Sequence, residues 1–255
     1  MPKPNFMKQQ DVLEVRYKQG YRYLDRCGDA MVLLEDALPA ISGNKIWMPE
    51  NMAPQGAIMK CPDLDLALVF DAARFCLDQN PTDIECPFED VALYAFGTIA
   101  AKFAIEHLTR LGRRQRFLLP VDSIEDATKL SLMKLPLRDW PVENIDDMSH
   151  QSSDATCVLE SKDRSKGVRF SVRSVYKIDA PNKIDPRLKR PPHLLEKGQR
   201  EALINQLRRA KQRQEDPAAG LEVDIDYWWM APEDMNIKEF YEKSTTIIND
   251  LINPF

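Results

Sequence analysis

Glycine and histidine are scarce in this chain, and its cysteines are never closely paired. Of 255 residues only nine are Gly and three are His. Few glycines leave little room for Gly-rich loops that bind phosphate, and the patterns GxGxxG and GxxxxGK[ST] do not occur. The five cysteines never form CxxC, which favours reduced thiols over a disulfide framework or a zinc site. No apolar run approaches the roughly 20 residues that cross a bilayer, so we expect a cytoplasmic protein without a membrane segment.

Catalytic motifs are also lacking. Neither GxSxG nor HExxH occurs, and His107, His150 and His193 have no second His or Cys within metal-ligand spacing. The sequence therefore indicates no catalytic residue, no metal ligand and no cofactor. It favours a non-catalytic protein over an enzyme.

The basic residues are concentrated in one segment. Residues 183–213 contain ten Lys or Arg and three acids, a net charge of +7 in a chain of net charge -5, so the remainder carries -12. Such asymmetry predicts either an anionic partner, which would be RNA, DNA or an acidic protein surface, or a solvated helix that meets the chain's own acids. The candidate contact residues in this segment are Lys189, Arg190, Arg208, Arg209, Lys211 and Arg213.

Hydrophobic periodicity and turn residues predict a similar order of elements in the two halves. The first half is predicted to contain a strand at 12–21, a helix at 22–38, a Pro/Gly/Asn-rich loop at 41–56, strands at 57–61 and 64–78, a helix at 87–112 and a strand at 113–122. The second half is predicted to contain a helix at 123–135, a hairpin at 155–178, a helix at about 193–214 that buries Leu203, Ile204, Leu207 and Ala210, a strand at 220–230 and an amphipathic helix from Asn236.

This order predicts an α+β protein with a tandem ferredoxin-like fold. The unit βαββαβ would occur twice, and the C-terminal amphipathic helix would pack on the sheet or on another subunit. We expect a first unit at 1–120 and a second at 121–255.

The stretch GLEVDIDYWWMAP, residues 220–232, permits two interpretations. Its acids Glu222, Asp224 and Asp226 alternate with apolar residues and would share one face of a strand. They could pair with Arg169, Arg173 and Lys177 of the preceding hairpin. Alternatively, Asp224 and Asp226 could hold a metal for phosphoryl transfer, although alternate side chains diverge and further ligands would be needed. Trp228 shares the acidic face and is a further candidate for partner contact.

Three loose motifs carry a resemblance that covers most of the chain. They are EVRY at 14–17, the Arg-rich RLGRRQRF at 110–117 and DIDY at 224–227 before a terminal helix. In these motifs the chain resembles a sporadically distributed, uncharacterised family of bacterial proteins of about this length. The resemblance implies a component of a multi-component system, such as one for phage defence, and supplies no catalytic residues.

We therefore expect a non-catalytic protein-interaction module of a bacterial assembly, and self-association also remains open. One alternative is a protein that binds RNA or DNA through residues 183–213. The other alternative is a metal-dependent phosphoryl-transfer enzyme at Asp224 and Asp226.

Overall fold

The computed structural model describes residues 6–18, 26–53, 56–80, 85–134, 154–176, 219–232 and 236–253, together with six positions between 196 and 207. The elements in these parts are β1 (Met7–Tyr17), α1 (Cys27–Ile41), β2 (Met48–Ala53), β3 (Gly56–Cys61), β4 (Leu66–Asp71), β5 (Arg74–Gln79), α2 (Phe88–Phe103), β6 (Leu108–Val121), α3 (Ile124–Lys134), β7 (Asp154–Glu160), β8 (Lys166–Tyr176), β9 (Ala219–Met230) and α4 (Ile237–Ile252). Among them, no helix combines the length and the apolar character that crossing a membrane requires.

The strands form one nine-stranded sheet in the order β2-β3-β4-β5-β1-β6-β9-β8-β7. Every neighbouring pair is antiparallel. This arrangement contradicts the predicted tandem ferredoxin-like fold, because a single continuous sheet replaces two βαββαβ units.

The two halves of the sheet are nevertheless built alike. One half runs β1, α1, the meander β2 to β5, and α2, and the other runs β6, α3, the meander β7 to β9, and α4. The last strand of each meander pairs with the first strand of its half, and β1 pairs with β6 at the centre. An approximate twofold axis between β1 and β6 therefore relates the halves.

Two misread segments explain the error in fold class. Residues 64–78 were predicted as one strand, but the chain turns between β4 and β5. There the Asp71 carboxylate accepts hydrogen bonds from the backbone N–H groups of Ala73, at 2.8 Å, and Arg74, at 3.0 Å. Such an Asp-based turn needs neither Gly nor Pro. The predicted loop at 41–56 contains β2, which tolerates Pro49 because it lies at an edge of the sheet.

The helix predicted at 87–112 is too long. It ends at Phe103, because Ala104 adopts a left-handed conformation with φ of 51° and Ile105 N–H donates to the Ala100 carbonyl at 2.9 Å. Gly112, predicted to close that helix, lies within β6. The burial predicted for the apolar residues of the helix at 193–214 is also wrong for two of them. Ile204 is 55% exposed and Leu207 is 50% exposed.

The second-half predictions at 155–178 (over its described residues, which end at Tyr176), at 220–230 and from Asn236 are confirmed. The apolar face of α4 packs on the sheet, where Phe240 stacks on Tyr227 with ring centroids 5.6 Å apart. The alternating face of β9 is buried as expected, and its members are Leu221, Val223, Ile225, Tyr227 and Trp229. All the described helices pack against this same face of the sheet.

A buried ion pair lies between the central strands and α4. Asp11 of β1 is 1% exposed and Arg113 of β6 is 3% exposed. The Arg113 guanidinium donates to both Asp11 carboxylate oxygens, at 3.1 and 3.0 Å, and to the Tyr241 hydroxyl at 3.0 Å. It also donates to Ser244 and Thr245 of α4. The charges are therefore paired and hydrogen-bonded, which is what allows such groups to be buried.

We predict that Asp11→Ala lowers the free energy of unfolding by about 3–5 kcal/mol, because it leaves the Arg113 charge buried without a counter-ion. Urea unfolding measures this change. The matched control is Lys60→Ala, which breaks an exposed ion pair with Glu50 and should cost about 0–1 kcal/mol. Equal small losses for both variants would show that the buried pair is not a main constraint on the fold.

Candidate functional site

The candidate site lies on the sheet face opposite the described helices, which we call the helix-free face. On the four strands β1, β6, β9 and β8, this face carries six arginines and four carboxylates. The arginines are Arg16, Arg110, Arg114, Arg116, Arg169 and Arg173. The carboxylates are Glu14, Glu222, Asp224 and Asp226.

Arg110 links three strands of this face. Its guanidinium donates to Glu14 of β1 at 2.7 Å and to both carboxylate oxygens of Asp226 of β9 at 3.2 Å. The guanidinium lies over Gly112, where an added Cβ would come within 2.7 Å of the Arg110 Nη1 atom. The glycine therefore provides the space in which Arg110 reaches both acids. Glu14 also accepts a hydrogen bond from Arg16 at 2.8 Å.

The remaining two carboxylates are each paired with one arginine through two short N–O contacts. Arg114 donates to the two oxygens of Asp224 at 2.7 and 2.5 Å, and this bonding raises the pKa of the Arg114 guanidinium. Arg173 of β8 bonds Glu222 at 2.7 and 2.5 Å. The acids of β9 are therefore held by arginines on both neighbouring strands.

The ion pairs of Asp224 and Asp226 with arginines oppose metal binding at the site predicted from the sequence. Burial raises the pKa of the Asp226 carboxyl, against the opposing effects of Arg110, Arg169 and Arg114. Metal binding requires the deprotonated carboxylate, and a metal ion would also have to displace the guanidinium groups from Asp224 and Asp226. Among the described residues no cluster of three or more His, Cys, Asp or Glu side chains could hold a metal ion.

Two arginines of the helix-free face lack a full set of acceptors. The Nε atoms of Arg116 and Arg169 are buried and make no hydrogen bond. Arg116 lies opposite Asp224, which is bonded to Arg114, and Arg169 lies opposite Asp226, which is bonded to Arg110. Buried donors in folded proteins almost always have an acceptor, so these two groups are candidates for contact with a ligand.

Trp228 lies at one end of this charged face and is half-buried. It faces Gly112 of β6 and Gly167 of β8 across the strands. Its six-membered ring covers Gly167 so closely that an added Cβ would overlap Cζ2. Packing of an aromatic ring on a cross-strand glycine stabilises a sheet, which gives Trp228 a structural role beside the contact role predicted from the sequence.

The structure tests only part of the predicted set of contacts. Arg173 contacts Glu222 as expected, and Arg169 is in register with Asp226. Lys177 and the predicted basic contacts lie outside the described residues, and those basic contacts are Lys189, Arg190, Arg208, Arg209, Lys211 and Arg213.

Sequence reasoning missed the arginines of β6 as members of the site. The available signal was RLGRRQRF, because alternate residues of a strand share a face and the motif places Arg110, Gly112, Arg114 and Arg116 on one side. The pairing of β6 with β9 could not be read from it.

Three cysteines, Cys61, Cys76 and Cys86, are not activated nucleophiles. Burial raises the pKa of Cys61 to about 11 and those of Cys76 and Cys86 to about 12. Nearby Asp78 and Glu14 also raise the pKa of Cys76, which lies opposite Glu14 on the helix-free face. These thiols therefore remain protonated near neutral pH, whereas a nucleophilic cysteine reacts as the thiolate.

Comparison with known proteins adds no identification. No family model, curated protein sequence or solved structure matches the chain. The site must therefore be interpreted from its own geometry.

We predict that Gly167→Ala displaces the Trp228 indole and lowers the free energy of unfolding by about 1–3 kcal/mol, because the methyl group overfills a packed position. Urea unfolding followed by tryptophan fluorescence measures both effects. The control is Gly97→Ala in α2, where a Cβ meets no atom within 4 Å and helix propensity should raise stability by up to about 1 kcal/mol. A Gly167→Ala protein as stable as the wild type would contradict this packing.

We also predict that iodoacetamide at about pH 8 modifies Cys157 before the other thiols, because Cys157 is exposed and the thiolate is the reactive form. Mass spectrometry of the native protein measures the order of modification. Denatured protein, in which all five thiols should react alike, is the control. Early modification of Cys61 or Cys76 would be inconsistent with their burial.

Proposed function

We propose that the protein is a non-catalytic binding module of a larger bacterial assembly in the cytoplasm, and that the helix-free face meets an anionic partner. The charge balance of the four strands β1, β6, β9 and β8 carries the proposal. The four carboxylates that these strands present on the helix-free face each accept hydrogen bonds from an arginine, but six arginines are present. Arg116 and Arg169 therefore remain for a partner.

The same pairing favours binding over catalysis. A general acid or base must be free to exchange a proton with a substrate, and a metal site needs carboxylates that converge on the ion. Glu14, Asp224 and Asp226 are each engaged by guanidinium groups, so a substrate or a metal would have to break ion pairs to reach them. Metal-dependent phosphoryl transfer at Asp224 and Asp226 is therefore the less favoured function.

An ordered set of ion pairs also suits a docking surface. The four arginines that carboxylates already fix need not be reordered when a partner binds to Arg116 and Arg169. Complementary charge speeds association and selects against partners of the wrong sign. Both partner classes expected from the sequence, an acidic protein surface and a nucleic acid, present anionic groups.

The test is affinity purification of the tagged chain from its native host. We expect a defined partner at fixed stoichiometry with the wild type and its loss with Arg116→Glu/Arg169→Glu, because both surplus cations become acids. The control, Lys102→Glu/Lys243→Glu, reverses two charges that pair with acids among the helices and should retain the partner. The complex is then rebuilt from purified components and measured by calorimetry.

Two results would contradict the proposal. The first is a partner that both double variants retain at wild-type stoichiometry. The second is a nuclease, nucleotidyl-transfer or hydrolase activity of the purified protein that Asp224→Asn abolishes, since that result would place chemistry at the paired carboxylates.

A further inference from the structure

We infer that the helix-free face binds single-stranded nucleic acid, with phosphate groups at Arg116 and Arg169 and a base on Trp228. This inference rests on the proposed function, because it identifies the anionic partner of the same face. Three observations carry it: two guanidinium groups with unsatisfied donors, their spacing on the sheet, and an aromatic ring beside one of them.

The unsatisfied donors point to an oxyanion. The Nε atoms of Arg116 and Arg169 are buried without a hydrogen bond, although β1 and β9 present four carboxylates on the same face. Those carboxylates accept bonds from the other four arginines. A guanidinium offers planar donors that match the oxygens of a phosphate group. A bound phosphate would supply the hydrogen-bond acceptors that the described residues do not provide to Arg116 and Arg169.

The spacing suits a polymer with repeated charges. Arg116 lies on β6 and Arg169 on β8, with β9 between them, and their positions are offset by two residues along the strands. A strand spacing of about 4.8 Å and a rise of about 3.4 Å per residue place their Cα atoms roughly 12 Å apart. Two separate cationic groups at that distance can take separate phosphates of one backbone.

Trp228 supplies a surface for a base next to Arg169. Its cross-strand neighbour Gly167 is two residues from Arg169 on β8. Because one side of the ring lies on Gly167, the other side is turned away from the sheet. Bases stack on such rings only when they are unpaired, and stacking tolerates any base. The acidic side chains of a peptide would satisfy the arginines but carry no ring that stacks on the indole.

The test is fluorescence anisotropy with labelled 20-nucleotide oligo-U and oligo-dT between about 50 and 200 mM salt. We expect Arg116→Gln/Arg169→Gln to weaken binding at least about tenfold. The slope of log affinity against log salt should fall by about 1.4, which is about 0.7 for each lost phosphate contact. Trp228→Ala should weaken binding by about five- to a hundredfold.

The matched control is Lys102→Gln/Lys243→Gln. It removes the same charge from two lysines that are already paired with carboxylates among the helices, so we expect a loss of less than about threefold and an unchanged contribution from Trp228. Circular dichroism checks that each variant is folded. Arg116→Lys/Arg169→Lys, which keeps both charges, should bind better than the Gln pair.

Three outcomes would overturn the inference. Equal losses for the site pair and the control pair would mean diffuse electrostatic attraction without a site. If poly-glutamate binds as tightly as the oligonucleotides and the site variants lose that binding, the partner is an acidic protein and the proposed function stands. If the protein binds neither polymer and the charge-reversed variant keeps its partner in the native complex, both the inference and the proposed function are rejected.

Discussion

The buried ion pair between Asp11 and Arg113 is the constraint on which the rest of the structure depends. It lies between β1 and β6, the first strands of the two halves, which pair at the approximate twofold axis. Through Tyr241 and Ser244 it also fixes α4 on the sheet. An error of one residue in the pairing of these strands would turn one charged group away from its partner. The pair therefore specifies the register of the central strands on which the helix-free face is built.

The Arg-rich segment of β6 contributes to both faces of the sheet. Because side chains alternate along a strand, Arg113 enters the core while Arg114 and Arg116 lie on the helix-free face. The arginines on the two faces differ in their hydrogen bonding. Arg113 is surrounded by acceptors, whereas Arg116 retains a buried donor without one. This contrast separates an arginine used for folding from one that we assign to binding.

The sequence predicted the local structure better than the assembly of the strands. The alternation of GLEVDIDYWWM placed the buried and charged faces of β9 correctly, and Asn236 marked the start of α4 through its bond to Glu239 N–H. Two strands were missed, because the Asp71 turn has no Gly or Pro and because β2 lies in a segment rich in Pro, Gly and Asn. The partners of Asp224 and Asp226 were also missed, since strand order depends on packing between distant segments that no local pattern encodes.

Nuclear magnetic resonance of the arginine Nε–H groups tests the central claim most directly, because it observes the unsatisfied donors themselves. During titration with single-stranded oligo-U, the signals of Arg116 and Arg169 should shift in a saturable manner. The signal of Arg113, whose Nε–H is bonded to Asp11 in the core, should stay in place and serves as the internal reference. Binding of the oligonucleotide without any shift at Arg116 and Arg169 would contradict the assignment of the helix-free face as the binding surface.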